Sequence, residues 1–432
     1  MPTAVPRILA VMPGFIPSTM ITVVRPLVRL HEAGRVRARI NLESLTGPGD
    51  VRRADAVIFC RNVKPAFTPL LEAALARRIP ILYDLDDNFF DFPPDADAAG
   101  YLDPSRQAML ADYVRSASLV RVYSAALLAR VSALNPRAVR SFAPIDLSLV
   151  GPPGAARPSG GVSIVYATSR AEDALADLFL PALARLLRTH AGRVQAHFWG
   201  YKPPRLAQLP GARHHAVVCR YERFLRRFSR AGFAVGLAPL LDDLFHRSKT
   251  NNKFREYGAC HVAGIYSNVE VYSECVVHGQ TGLLVANHPD RWYEALVELV
   301  ENPGLRAGIQ RQARAYVEEH YRQDEFERVF WRQIQELLDD RAECRVDRAQ
   351  RAPPEPRRTT DDGRRAVALP SVARRPSSVE DGGAHPSGST HVTLFRRAAS
   401  LRRHGLRRTW EAARWKCSDW STALELRWRL RR

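Results

Sequence analysis

Between Asp242 and Gly282 the chain reads DDLFHRSKTNNKFREYGACHVAGIYSNVEVYSECVVHGQTG. The segment follows an apolar run, Phe233–Leu240, that predicts a buried strand. It then offers three cations, Arg247, Lys249 and Lys253, and a carboxylate, Glu256, one turn into the next helical stretch. A second apolar run, His261–Ser267, a turn, a short helical stretch with Glu274 and the close Gly279-Gln280-Thr281-Gly282 complete it. Cations at the C-terminal end of a strand, with more at the start of the following helix, suit a diphosphate. A carboxylate one turn in can hold the hydroxyls of a ribose. The plainer alternative for Lys249 and Lys253 is a solvated helix face. For Glu256 it is an ordinary surface pair with a residue three or four positions away.

A second group of charges is Tyr83-Asp84-Leu85-Asp86-Asp87-Asn88, after the apolar run Ile79–Tyr83. In open α/β sheets the C-terminal ends of strands face the ligand crevice, which predicts that Asp84, Asp86 and Asp87 reach a cleft. A D-x-D-D run also invites a metal reading, Mg or Mn. The plainer alternative is a solvated acidic loop capping the next helix. Ser18, in the first strand-to-helix turn Pro13–Thr19, Arg25 on the helix beyond it, and Arg61, after the run ending at Phe59, are candidates on the same side.

The elements that must position these residues follow from hydrophobic pattern. Strands are expected at Ile8–Met12, Val36–Leu42, Ala56–Phe59, Ile79–Tyr83, Leu119–Val122 and Val139–Phe142. Helical patterns lie between them at Ser18–Ala33, Pro65–Arg77, Pro104–Ala117 and Ser124–Leu134, the last with Ser124 as its cap. After a Pro/Gly-rich stretch, 151–161, the alternation restarts. Strands are expected at Ser163–Ala167, Val194–Trp199, Ala216–Cys219, Phe233–Ala238, Val262–Ser267 and Gly282–Val285. The intervening helices are Glu172–Leu187, Tyr221–Ser229, Lys253–Cys260, Tyr272–Val277 and Arg291–Glu301, followed by Gly304–His320 and Asp324–Leu338. Apolar strands alternating with helices argue for parallel sheets covered on both faces. Two such halves imply a cleft between them.

The bulk properties agree. The 432 residues are 46% hydrophobic and 25% charged, as in globular proteins of two or three domains. Apolar runs fall short of a membrane span, and Pro13-Gly14 stops the first one too early for a secretion signal. Six cysteines without a C-x-x-C pair argue against zinc and redox motifs and fit a reducing cytoplasm. The formal net charge is +19, and residues 341–432 carry 22 Lys and Arg against 10 Asp and Glu. Residues 341–390 are rich in Pro, Arg, Ser, Gly and Asp and are expected to be disordered. In 391–432, Leu406, Trp410, Ala413, Cys417, Trp420, Leu424 and Trp428 recur every three or four residues, which predicts an amphipathic helix. Its 12 basic residues against 3 acidic ones point to an anionic membrane surface, with packing on protein as the alternative and nucleic acid not expected.

With these residues in view, the layout resembles the group 1 (GT4-like) retaining glycosyltransferases, which have the GT-B fold of two Rossmann-like domains. The resemblance rests on Lys249–Ala259 (KTNNKFREYGA) and His261–Val285 (HVAGIYSNVEVYSECVVHGQTGLLV), with Asn302-Pro303 and the last helices in support. It implies an N-terminal acceptor domain over 1–150 and a donor domain over 160–340. It implies transfer of a sugar from a nucleotide-diphosphate-sugar to an acceptor hydroxyl; the basic Trp-rich tail alone adds the expectation of a glycan or lipid-linked acceptor in surface polysaccharide assembly at the inner face of the plasma membrane. Lys249 would act catalytically, with Arg247, Lys253, Glu256, Asn268, Glu274 and Arg170 around the donor. Asp84, Asp86 and Asp87 would orient the acceptor or stabilise oxocarbenium charge. Cations at the donor would make a metal unnecessary, so no cofactor is expected.

The chain departs from the family pattern of two glutamates eight positions apart: Ser248 stands eight before Glu256. Thr168-Ser169-Arg170 replaces the usual Gly-Arg after the first strand of the second half. Two other functions therefore fit the layout, a catalytically degenerate nucleotide- or glycan-binding protein and a nucleotide-sugar epimerase. No G-x-G-x-x-G, G-x-S-x-G, H-E-x-x-H or Walker A pattern occurs, so dinucleotide, hydrolase, zinc-protease and P-loop chemistries have no support.

Overall fold

The protein is described from a computed structural model covering residues 4–94, 97, 100–151, 161–169, 173–204, 206–351, 419, 421–426 and 429–430, with backbone only for 342–351. Among the described residues, twelve strands form two parallel sheets. The first contains β1 (Arg7–Met12), β2 (Arg37–Leu42), β3 (Ala56–Cys60), β4 (Ile81–Asp84), β5 (Leu119–Val122) and β6 (Ala138–Arg140), in the order β2-β1-β3-β4-β5-β6. The second contains β7 (Val162–Thr168), β8 (Val194–Gly200), β9 (Arg213–His215), β10 (Val235–Ala238), β11 (Ala263–Ser267) and β12 (Leu283–Val285), in the order β12-β11-β10-β7-β8-β9. Strand order reverses between β1 and β3 and between β7 and β10, which are the points where open α/β sheets leave a crevice at their carboxyl ends. This is the GT-B fold that the sequence predicts.

Each sheet is covered on both faces, so its strands read as nearly continuous apolar runs; every residue of β3 and β10 is buried. Ser124 caps the helix Ala125–Ser132, as expected, by accepting the Leu127 N–H at 3.2 Å. The first helix runs from Pro17 to Glu32 but loosens into a π-turn at Met20–Val24. Pro26 explains the irregularity. It has no N–H to give to the Thr22 carbonyl four residues back, and that carbonyl instead accepts from the Arg121 guanidinium at 2.9 Å.

Several expectations are corrected. The strand expected at Ala216–Cys219 forms at Arg213–His215, where His215 stacks on Trp199 and meets His197 at 2.9 Å. The helix expected over Glu172–Leu187 breaks between Asp173–Asp177 and Leu180–Thr189, because Pro181 starts a new first turn. The one expected at Tyr272–Val277 sits at Glu270–Ser273. Short helices at Pro48–Arg52 and Leu244–Arg247 add to the expected elements.

The last helix of the body, Gln323–Arg351, runs beyond the expected end at Leu338 and into the stretch expected to be disordered. The remainder of that stretch, 352–390, lies outside the described residues. Phe326, Phe330, Ile334 and Leu337 of this helix pack in the core of the first sheet with Ile8, Met12 and Ile58. The C-terminal end of the expected donor domain is thus built into the first half. Their spacing of four, four and three residues presents one apolar stripe to that sheet.

Near the C-terminus, residues 421–426 are helical, and Ala423 (4% exposed) and Leu426 (6%) are buried in the same core. The residues that face protein here, Ala423 and Leu426, lie off the expected Trp-rich stripe, whereas Leu424, which lies on it, is exposed. Residues 391–418 and the four tail tryptophans lie outside the described residues. Among the described residues no helix is long and apolar enough to cross a membrane.

Candidate active site

A cleft of about 480 Å³ opens where the carboxyl ends of the two sheets face each other. Its first wall is Ile16, Pro17 and Ser18 after β1, Arg61 after β3, and Asp86 and Asp87 after β4. The opposite wall is Thr168 and Ser169 after β7, Pro239 and Leu240 after β10, and Lys249, Thr250, Asn252, Lys253 and Glu256 from the helix Asn252–Ala259 and the loop before it. Both switch points of the fold thus empty into one space.

Arg61 organises the first wall. Its backbone lies in the left-handed region, at φ 61°, which is uncommon for a non-glycine residue and clusters at functional sites. The guanidinium reaches Asp86 at 2.6 and 2.8 Å and Asp87 at 3.4 Å, and lies 4.7 Å over the Phe89 ring. Burial opposes its charge, but Asp86 and Asp87 outweigh that and keep it protonated. Burial pushes the Asp86 carboxyl above its ordinary range against the pull of Arg61. Ser18 Oγ stands 3.5 Å from the same guanidinium.

On the second wall, Lys253 Nζ donates to Glu256 at 2.6 Å. Lys249 Nζ lies 3.9 Å over the Phe245 ring and 3.6 Å from Asp87, across the cleft. Beside Glu256 and Lys253 a narrow slot of about 80 Å³ continues between Trp199, Val217, Val218, Tyr221 and Phe224. The apolar pair Val217-Val218 has the pattern of a strand, which hides the slot from the sequence. The signal for it is the carboxyl end of β8 at Trp199-Gly200.

The cleft gathers Ser18, Arg61, Asp86, Asp87, Lys249, Lys253 and Glu256. Other expected residues lie elsewhere. Asp84 is a correction: it is 0% exposed and faces the interior, where Arg121 (also 0%) contacts it at 2.5 Å and Tyr123 donates to it at 2.7 Å. Arg121 is its neighbour in register on β5, so the pair is fixed by the sheet itself. Arg247 is turned out to Asp242 at 2.7 Å, and Glu274 pairs with Arg140 of the first half. Those two line a separate shallow recess that Lys249 also borders. Asn268 is exposed and its N–H is bonded to the Val285 carbonyl. Arg25 pairs with Asp146 and Glu222, away from the cleft. Arg170 lies outside the described residues.

Ser248 explains the departure from the paired-glutamate pattern. It is fully buried at the joint between the halves. Its Oγ donates to the Leu244 carbonyl at 2.7 Å and accepts from Asn88 Nδ2 at 3.2 Å, while its carbonyl accepts from Ser124 Oγ at 2.9 Å. A carboxylate there would be fully buried and would displace these hydrogen bonds. Among the described residues no three His, Cys, Asp or Glu side chains converge as a metal-binding group.

Comparison with known proteins agrees with this geometry. The family described as "Glycosyl transferases group 1" matches residues 162–302, the half that carries Lys249, Lys253 and Glu256. Comparison with the curated proteins gives no match. Among solved structures, Anabaena HepE in complex with UDP and glucose is similar at 13% identity, covering 77% of this chain and 100% of its own, with a TM-score of 0.57. A sucrose-phosphate synthase from Thermosynechococcus elongatus is similar at 12% identity, with 77% and 100% coverage and a TM-score of 0.59. A glycosyltransferase from Rickettsia africae is similar at 13% identity, with 78% and 99% coverage and a TM-score of 0.54. At such identities the structural likeness bears on the fold. Residues 162–302 thus match the group 1 glycosyltransferase family, in a chain whose structure has the GT-B fold.

Proposed function

We propose that the protein transfers a sugar from a nucleotide-diphosphate-sugar to an acceptor hydroxyl, with retention of anomeric configuration. The observation that carries this reading is the meeting of Lys249, Lys253 and Glu256 with the carboxyl ends of β1, β3, β4, β7 and β10 in one cleft. The slot beside Glu256 is walled by flat and apolar side chains and takes the base. Glu256 holds the ribose, and Lys253 and Lys249 face the diphosphate. As the bond from the anomeric carbon to phosphate oxygen breaks, charge grows on the leaving diphosphate. Cations already in place stabilise that charge more than they stabilise the bound donor. Asp86 and Asp87 are left to orient the acceptor hydroxyl from the opposite wall. The HepE structures with UDP and with UDP-glucose support the donor class.

The test is a thermal-shift screen of the protein against UDP, GDP, ADP and CMP, with and without EDTA, repeated on Lys249→Ala and Glu256→Ala. A shift with one nucleoside diphosphate that ignores EDTA and is lost in both variants supports a metal-independent donor site and names the base. A shift that requires a divalent cation moves attention to Asp86 and Asp87. No shift with any nucleotide defeats the reading.

The buried serine at 248 favours a second reading, a nucleotide-binding protein without turnover. It predicts the same shift but no release of sugar from any donor. For the acceptor we propose a glycan or lipid-linked molecule in surface polysaccharide assembly, reached through anionic-membrane contact by the basic residues of 391–418. Unchanged sedimentation with anionic vesicles after deletion of 391–418 would defeat the membrane contact.

A further inference from the structure

The cleft wall formed by Ile16, Pro17 and Ser18 belongs to the loop Pro13–Ser18, and that loop is held from two directions. From within, Thr19 Oγ1 lies 3.0 Å from both the Gly14 and Ile16 carbonyls. From outside, the Phe15 N–H donates to Asp419 Oδ1 at 2.8 Å, over a sequence separation of 404 residues. The approach is close: a Cβ on Gly14 would stand 3.2 Å from Asp419 Oδ2.

The turn that carries Asp419 is anchored in its own right. Thr422, Ala423 and Leu426 are buried, and Ala423 and Leu426 share a core with Phe15, Met20 and Val24. Arg429 pairs with Glu32 of the first half at 2.6 Å. Glu425 pairs at 2.8 Å with Arg220, the residue that opens the helix Tyr221–Arg230 of the second half. That helix supplies Tyr221 and Phe224 to the slot. One short stretch near the C-terminus therefore touches the loop that walls the cleft on one half and the start of the slot helix on the other.

We infer that residues 419, 421–426 and 429–430 act as an intramolecular strap across the two halves, in which Asp419 is a positioning residue for the cleft-wall loop Pro13–Ser18. A loop that opens a helix has few backbone partners of its own, and local opening is governed by such contacts. The exposed Glu425–Arg220 pair adds little to stability, but it sets where the strap ends. The inference stands on these contacts and does not require the nucleotide-sugar reading, so its test reads the loop rather than transfer.

The test is hydrogen–deuterium exchange of the full chain, followed in peptides spanning residues 14–24 and 221–230, with peptides from β10 and β11 as internal controls. Asp419→Ala removes the acceptor, whereas Asp419→Asn keeps an oxygen for the Phe15 N–H. Loss of one net hydrogen bond corresponds to about fivefold faster exchange. The expected result is that rise across 14–24 in Asp419→Ala, parent-like exchange in Asp419→Asn, and unchanged controls. Glu425→Arg is expected to quicken exchange at 221–224, and Arg220→Glu combined with Glu425→Arg to restore it. Three results would overturn the inference. They are parent-like exchange at 14–24 in Asp419→Ala, equally fast exchange in the Asn variant, and a rise of the controls to the same degree, which would mark a general loss of stability.

Discussion

Lys249 of the second half stands 3.6 Å from the Asp87 carboxylate of the first, and Arg61 holds the far side of that carboxylate at 3.4 Å. Charges of alternating sign, from Asp86 through Arg61 and Asp87 to Lys249, thus run from one wall of the cleft to the other. On the proposed function, a diphosphate entering the cleft would compete with Asp87 for Lys249.

Asp87→Asn should therefore bind a nucleoside diphosphate more tightly, because one competing carboxylate is neutralised. Lys249→Ala should bind it more weakly and lose about 10²–10³-fold in transfer rate, the usual cost of removing one donor to developing negative charge. Titration calorimetry with UDP and a transfer assay measure the two effects. Equal affinity in both variants and the parent would show that the diphosphate lies elsewhere.

Asp84 and Asp86 should separate cleanly. Asp84→Ala leaves Arg121 as an unpaired charge in the core, which costs about 3–5 kcal/mol. Its urea midpoint should fall well below that of the parent, whereas Asp86→Asn should cost far less while altering the cleft. A parent-like midpoint for Asp84→Ala would refute the structural role of the pair.

Restoring an acid eight residues before Glu256 should not restore a donor contact. Ser248→Glu places a carboxylate beside Asn88 at a fully buried joint and should destabilise the chain by about 3 kcal/mol or more. A thermal melt reads this directly. A variant as stable as the parent with improved donor binding would mean that position 248 faces the cleft.

Stability should also depend on acid through Asp146, which pairs with Arg25 and Arg29. Burial opposes its ionisation, but Ser148 and the two arginines prevail and hold its carboxyl below the ordinary value of 3.8. A carboxyl with a depressed folded value contributes stability that is present above 3.8 and is lost as pH falls through the folded value. Asp146→Asn should thus be less stable than the parent near neutrality and converge with it at lower pH. A constant gap down to pH 2, followed by urea denaturation, would contradict this.

Much of the fold was legible in the residues. Short apolar runs such as Ala56–Phe59 and Ile8–Met12, set between helical patterns, read as buried strands, and Ser124 before Leu127 reads as a helix cap by its side-chain chemistry. The cluster of Lys249, Lys253 and Glu256 was legible too, because strand ends and first helical turns fix where those side chains can point. Periodicity misled at Val217-Val218, where an apolar pair serves the slot and the edge strand forms three residues earlier.

Local pattern determined which face of an element is apolar, and so the two parallel sheets and the second wall of the cleft. It did not determine partners distant in sequence. Asp84 and Asp86 differ by two positions in one acidic run, yet one neutralises Arg121 in the core and the other meets Arg61 in the cleft, because β5 brings Arg121 into register with Asp84. Ser248 bonds Asn88 at the joint and Asp419 reaches the Phe15 N–H for the same physical reason. A buried charge or an unpaired N–H must find its partner in space, and only the folded chain decides which residue stands there.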